Sequence, residues 1–159
     1  MGPGGPPFQP GADRLPLPRY HLLSSLALGG LFFGASGDRR RLLAPLATGF
    51  LVDVDHLFDY ALGRTGRGRR VMVLPLHGWE LLPFLALLDR ALRTGGALVG
   101  GYALHLVLDQ LWNEKRSALA YFLTYRASRG FSADQLGPLD PAQRHAWRRS
   151  SLRGLWRWL

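Results

Sequence analysis

A chain of 159 residues with 47% apolar and 19% charged side chains is long enough for one domain with a real core, short for two, and too apolar for general disorder. It contains no cysteine, which excludes disulfides and thiolate metal sites and leaves His, Asp and Glu to hold any cation. The net charge is +9 and every basic residue except Lys115 is Arg, but alongside so much Ala, Gly, Leu and Pro this reads mainly as GC-rich coding bias, and charge alone does not make a nucleic-acid protein.

Met1–Pro18 is Gly- and Pro-rich without hydrophobic period and reads as a flexible tail. It lacks the basic start, apolar run and small-residue cleavage site of a signal peptide. The first ordered element is expected near Arg19, with His21–Phe33 helical and His21 in its first turn. Ser25, Gly29 and Gly30 would let another helix approach closely. Gly34–Arg41 reads as a turn, and a second helix is expected from about Leu42 to Leu62, with Pro45 in its first turn. A Gly/Arg loop, Gly63–Arg70, and a short apolar lead-in, Val71–Leu76, follow. A third helix is expected from His77 to about Arg93 and a fourth from Ala97 to about Trp112. Asn113–Ser128 reads as a more exposed helix with Tyr121, Phe122 and Tyr125 inward, capped by Gly130, and Phe131–Leu139 as a loop. Asp140-Pro141 then supplies an N-cap and first-turn proline for a last helix to Leu159. No strand alternation appears apart from a weak one at Val71–Leu74, so the expected fold is all-α, a bundle of about five to six helices. The expected division is a tail over 1–18, a helical metal-binding domain over 19–139 and a basic amphipathic helix over 140–159.

The acids fall in unusual places. Of eleven acidic residues, five (Asp53, Asp55, Asp59, Glu80 and Asp109) lie in three apolar stretches, each with a histidine at helical spacing: His56 with Asp53 or Asp59, His77 with Glu80, His105 with Asp109. No Lys or Arg lies between Leu42 and Leu62 to neutralise the first group. Unpaired buried carboxylates cost several kcal/mol, so such groups are normally paired, neutralised or bound to metal. Singly, each histidine has a structural explanation: a hydrogen-bonded core residue, a helix pair, or, for Glu80, a favourable place near a helix N-terminus. Together they read as a metal site built from facing helices, as helical bundles build them. Oxygen and imidazole ligands without sulfur suit zinc, with manganese and iron as alternatives.

In order, His21, Asp53-Val54-Asp55-His56, His77 and His105-Leu106-Val107-Leu108-Asp109 resemble the YdjM-like family of membrane-bound metal-dependent hydrolases over about residues 20–112. The last element is also similar to the HxxxE or HxxxD ligands of zinc-dependent phospholipases C and single-strand nucleases. The chain departs from the family pattern at Val52, where a proline is usual, and at Leu76–Glu80, which replaces a His-Arg-x-x-Thr-His-Ser element. The resemblance implies His21, Asp53, Asp55, His56, His77, His105 and Asp109 as metal-site residues and a hydrolase acting on a phosphoester or another polar bond. Glu80 or Asp59 would be the general base, Glu80 the better choice because it lies one turn from His77. The competing expectation is a non-enzymatic membrane-associated bundle whose polar residues only hold helices together.

Two features bear on partners. In the last helix Trp147, Leu152, Leu155, Trp156, Trp158 and Leu159 share one side and Arg149, Arg153 and Arg157 the other, which suits a membrane interface; a helix closing the bundle with its tryptophans is the equal alternative. The apolar runs fall short of the ~20 residues that span a bilayer, and successive loops are all basic, so peripheral attachment at the cytoplasmic face is expected over a multi-pass fold, with a soluble cytoplasmic protein as the alternative. An anionic small molecule or lipid fits as substrate. Nucleic acid ranks lowest, because aromatics do not interleave with the basic loops.

Overall fold

The computed structural model describes residues 18–59, 72–112 and 117–136. The expected tail before Pro18, the Gly63–Arg70 loop and the helix after Asp140 lie outside these. Helix α1 (Pro18–Ser36) and α2 (Arg39–Gly49) form a hairpin. Gly37, at φ +68°, takes the left-handed turn, and the Asp38 carboxylate accepts from Arg40 N at 2.9 Å. That cap starts α2 three residues earlier than expected, so Pro45 falls inside the helix and not in its first turn.

α2 ends at Gly49, and the expected single helix over Leu42–Leu62 is not formed. A tight 3-10 turn, Leu51–Asp55, follows, and residues 56–59 are helical again. With three residues per turn, positions i and i+3 eclipse, which stacks His56 on Asp53. In its described part the extended lead-in buries Met72 and Leu74 with Leu136, and Met72 N donates to Phe131 O at 2.9 Å. Asp59 Oδ1 accepts from Val73 N at 3.1 Å and Leu74 N at 3.0 Å, tying the lead-in to the acidic segment.

The helix expected from His77 begins later. A 3-10 turn at Trp79–Leu81 precedes α3 (Leu82–Leu92), with Pro83 in its opening turn. α4 (Ala97–Trp112) has the expected bounds. Asp89 starts it, accepting from Thr94 Oγ1 at 2.6 Å, Gly96 N at 2.7 Å and Leu98 N at 3.0 Å. The expected Asn113–Ser128 helix is shorter in its described part: a 3-10 turn over Ala118–Tyr121, capped by Ser117, then α5 (Leu123–Ser128). A last short helix, α6 (Ala133–Leu136), occupies part of the expected Phe131–Leu139 loop. The fold is all-α.

α4 is the central element, packed by α1, α2 and α3. Small residues set how closely. A Cβ on Gly29 would collide with Leu42 O, and one on Gly49 with Ser25 Oγ. One on Gly101 would stand 2.5 Å from Pro45 Cα and 2.7 Å from Thr48 Oγ1. Thr48 Oγ1 in turn donates to Leu98 O at 2.8 Å. Ser25 and Gly29 thus play the role expected of them, while Gly30 faces open space. The main apolar cluster joins Val52, Tyr102, Leu106 and Tyr121, flanked by Trp79, Leu81, Leu82 and Leu85. Its polar neighbour is a knot of histidines and aspartates between α1, the 3-10 turn, the His77 segment and α4.

Candidate metal centre

Two histidines define the centre by what holds their far sides. His105, from the middle of α4, places Nδ1 at 2.9 Å from Gly49 O. A carbonyl can only accept, so Nδ1 carries the proton and Nε2 presents a lone pair. His77 places Nδ1 at 3.0 Å from Asp55 Oδ2, which leaves its Nε2 in the same state. The two Nε2 atoms face each other at 2.9 Å, both rings essentially without exposure. Two lone pairs repel, so this contact requires a proton or a cation between them.

Two carboxylates complete the arrangement. Asp53 Oδ1 lies 3.3 Å from His77 Nε2 and 3.6 Å from His105 Nε2. Asp109 Oδ2 lies 3.6 Å and 3.7 Å from the same nitrogens. Donors sharing a tetrahedral cation at about 2.0–2.1 Å stand about 3.3 Å apart, so these spacings are those of a ligand set. His77, His105 and Asp109 form one group with ligand atoms all within 4.8 Å of one another; His21, Asp53 and His105 form a second, and Asp53, His56 and His77 a third. These buried His and Asp groups could hold a metal ion.

The surrounding groups fix the ligands. His21 Nε2 lies 3.3 Å from Asp109 Oδ1, and its ring stacks on His105 with centroids 4.1 Å apart. Its Nδ1 is buried with no hydrogen-bond partner. Asp55 Oδ2 also accepts from Leu76 N at 2.8 Å, while Asp55 Oδ1 is buried without a partner. His56, half-exposed, sits at the rim with Nδ1 3.4 Å from Asp55 Oδ1 and 3.7 Å from Asp53 Oδ1.

The electrostatics follow from this crowding. Burial acts to raise the pKa of Asp53, Asp55 and Asp109, but their histidine neighbours outweigh it and hold all three below the ordinary carboxylate range. Burial also disfavours charge on both imidazoles, and between two facing Nε2 atoms there is room for one proton. His77, bonded to Asp53 and Asp55, keeps it and is raised to about 9. For His105 burial dominates, and with His77 beside it the group is lowered to about 4.

Of the residues expected from the sequence, His21, Asp53, Asp55, His56, His77, His105 and Asp109 are brought together. Glu80 and Asp59 are not among the clustered residues. Glu80 caps α5, accepting from Leu123 N at 3.0 Å, Thr124 N at 3.0 Å and Thr124 Oγ1 at 2.9 Å, which lowers its pKa against a burial effect of opposite sign. His77 and Glu80 share no helix face, because the helix starts after both. Asp59 Oδ1 is committed to Val73 and Leu74, and burial raises its pKa.

Two residues that the sequence did not single out hold the His77 segment. The Tyr102 hydroxyl accepts from Gly78 N at 2.9 Å and shares its proton between Leu76 O at 2.8 Å and Gly78 O at 2.7 Å; burial pushes its pKa to about 12. Arg126, fully buried, donates Nη2 to His77 O at 2.6 Å and Leu74 O at 3.2 Å. Arg126 lies one turn beyond Phe122, a position read as inward, and that was the available signal. No family model, curated protein or solved structure matches this chain.

Proposed function

We propose that the protein is a metal-dependent hydrolase of the YdjM-like kind, acting on a phosphoester or another polar bond. The observation that carries the reading is the 2.9 Å approach of two imidazole nitrogens whose opposite nitrogens are already committed, flanked by two carboxylates at ligand spacing. His77, His105, Asp53 and Asp109 would hold the cation; zinc suits two nitrogens and two oxygens without sulfur, with manganese or iron as alternatives. When bound, such a cation polarises a scissile oxygen and acidifies water. The chain's own groups do the rest. Gly49 O and Asp55 fix the imidazole tautomers, His21 orients Asp109, and Tyr102 and Arg126 hold the backbone on either side of His77. Glu80 and Asp59 have no part in this mechanism, and a net charge of +9 favours an anionic substrate.

A second reading is supported by the opposed histidine pKa values. A proton shared between His77 and His105 satisfies the same contact, and the centre is then a structural network without catalysis. Metal analysis of the purified protein and of His105→Ala separates the two. The hydrolase reading expects bound transition metal that the variant loses, together with thermal stability; the network reading expects none in either.

The proposal includes peripheral attachment to a membrane surface. Among the described residues no helix is long and apolar enough to cross a bilayer. Leu31 (71%), Phe84 (69%), Leu87 (67%) and Leu111 (71%) are exposed on α1, α3 and α4 and are the apolar side chains that would meet such a surface. Alkaline carbonate extraction tests this: release into the supernatant is expected, and retention in the membrane pellet would mean that segments insert.

A further inference from the structure

The outer rim of the centre has donors that the inner site does not use. Asp55 divides its oxygens: Oδ2 takes the Leu76 amide and the His77 ring, whereas Oδ1 is buried and has no hydrogen bond. An unpaired carboxylate oxygen in that position is costly. Beside it stands His56 Nδ1, 3.4 Å away and closer to the backbone Asp53 O at 3.1 Å than to either carboxylate. Asp53 Oδ1 lies 3.7 Å from the same nitrogen and 3.3 Å from His77 Nε2, so one carboxylate touches both groups of donors.

We propose that a second divalent cation binds at this rim, between His56 Nδ1, Asp55 Oδ1 and the Asp53 carboxylate, with Asp53 bridging it to the inner cation. The inference deepens the hydrolase reading and rests on it. The separations of 3.4 and 3.7 Å are close to the spacing of about 3–3.5 Å between ligands of one cation. In the metal-free fold His56 Nδ1 donates to Asp53 O, so a cation here takes the place of that proton and the ring keeps its proton on Nε2. Asp53, as the common ligand, would set the cations about 3.5–4 Å apart, the separation of two-metal hydrolytic sites.

The two positions differ in access. The side chains of His77 and His105 are fully buried and that of Asp109 is 8% exposed, so the inner cation is enclosed. His56 is 49% exposed and Asp53 23%, so the outer cation has an open side. The outer position is therefore where a phosphoester oxygen or a water would meet the metal, and the one from which metal exchanges more readily. Asp55 joins both positions, fixing His77 through one oxygen and holding the outer cation through the other.

The test is zinc stoichiometry. Full-length protein stripped with chelator is titrated with zinc chloride by calorimetry, and the bound metal is counted after dialysis. Two equivalents are expected for the wild type, the second weaker. His56→Ala, at a half-exposed position with little packing to lose, should bind one, with the tight step unchanged. With Mn(II) as probe, the wild type should give the electron paramagnetic resonance spectrum of a spin-coupled pair and His56→Ala that of an isolated ion. One zinc in the wild type, or two retained in His56→Ala, would overturn the inference. One equivalent leaves the inner centre and the hydrolase reading standing, whereas none removes both.

Discussion

At the scale of residues, the centre depends on two histidine tautomers. The proton His77 holds up to about pH 9 occupies the place a cation would take, while His105, at about 4, is already neutral at physiological pH. Metal binding should therefore release about one proton per inner cation at pH 7, with apparent affinity falling about tenfold per pH unit below about 8. Calorimetry in buffers of different ionisation enthalpy measures this directly; no proton release would mean that the cation does not displace the His77 proton. Asp55→Asn should weaken metal binding by about 10–100-fold, because the amide can offer its NH₂ group where the His77 ring needs an acceptor. A competition titration with a chromophoric chelator reads the change. The seven clustered residues were legible because acids and imidazoles in apolar sequence need partners. Glu80 was not, because the helix end it caps lies more than forty residues downstream and nothing local announces it.

At the scale of elements, α4 was legible to the residue, its apolar run bounded by Thr94-Gly95-Gly96 and carrying its own His-Asp pair. The second element was not. Apolar periodicity over Leu42–Leu62 cannot distinguish a continuous α-helix from α2, a 3-10 turn and a restart, yet that turn stacks His56 on Asp53 and sends Asp55 inward. Likewise the His77 segment is set by long-range bonds to Tyr102, Arg126 and Asp59, which no local pattern encodes. The crossing of α2 and α4 is the joint that carries the site, since His105 bonds to Gly49 O across it. Gly101→Ala would press a methyl against Pro45 Cα and Thr48 Oγ1 and should cost about 1–3 kcal/mol in urea denaturation, with weakened metal binding as α4 shifts away from Gly49. Gly30→Ala, in open space on α1, should be neutral to mildly stabilising.

At the scale of the whole molecule, the metal-free fold should have a stability maximum near the ordinary histidine pKa. His77 is raised in the fold, so its contribution is complete below about pH 6.5 and is lost as pH rises through about 9. His105 is lowered, so its neutral form favours the fold above about pH 6.5, and that advantage is lost as pH falls toward 4. Urea midpoints of chelator-treated protein at pH 5, 6.5 and 9 should peak at the middle value; a steady rise to pH 9 would mean that His77 carries no proton in the metal-free fold. The all-α class was legible in the lack of strand alternation. Which apolar residues stay exposed was less so, because Phe84 and Leu87 look like core in a sequence until the helices they would pack against are placed elsewhere. The central claim is a metal centre made by His77, His105, Asp53 and Asp109. It is tested most directly by the metal content of protein purified without chelator or metal-affinity steps: at least one transition-metal ion per chain is expected, and folded protein with substoichiometric metal that takes up none on addition of zinc would contradict it.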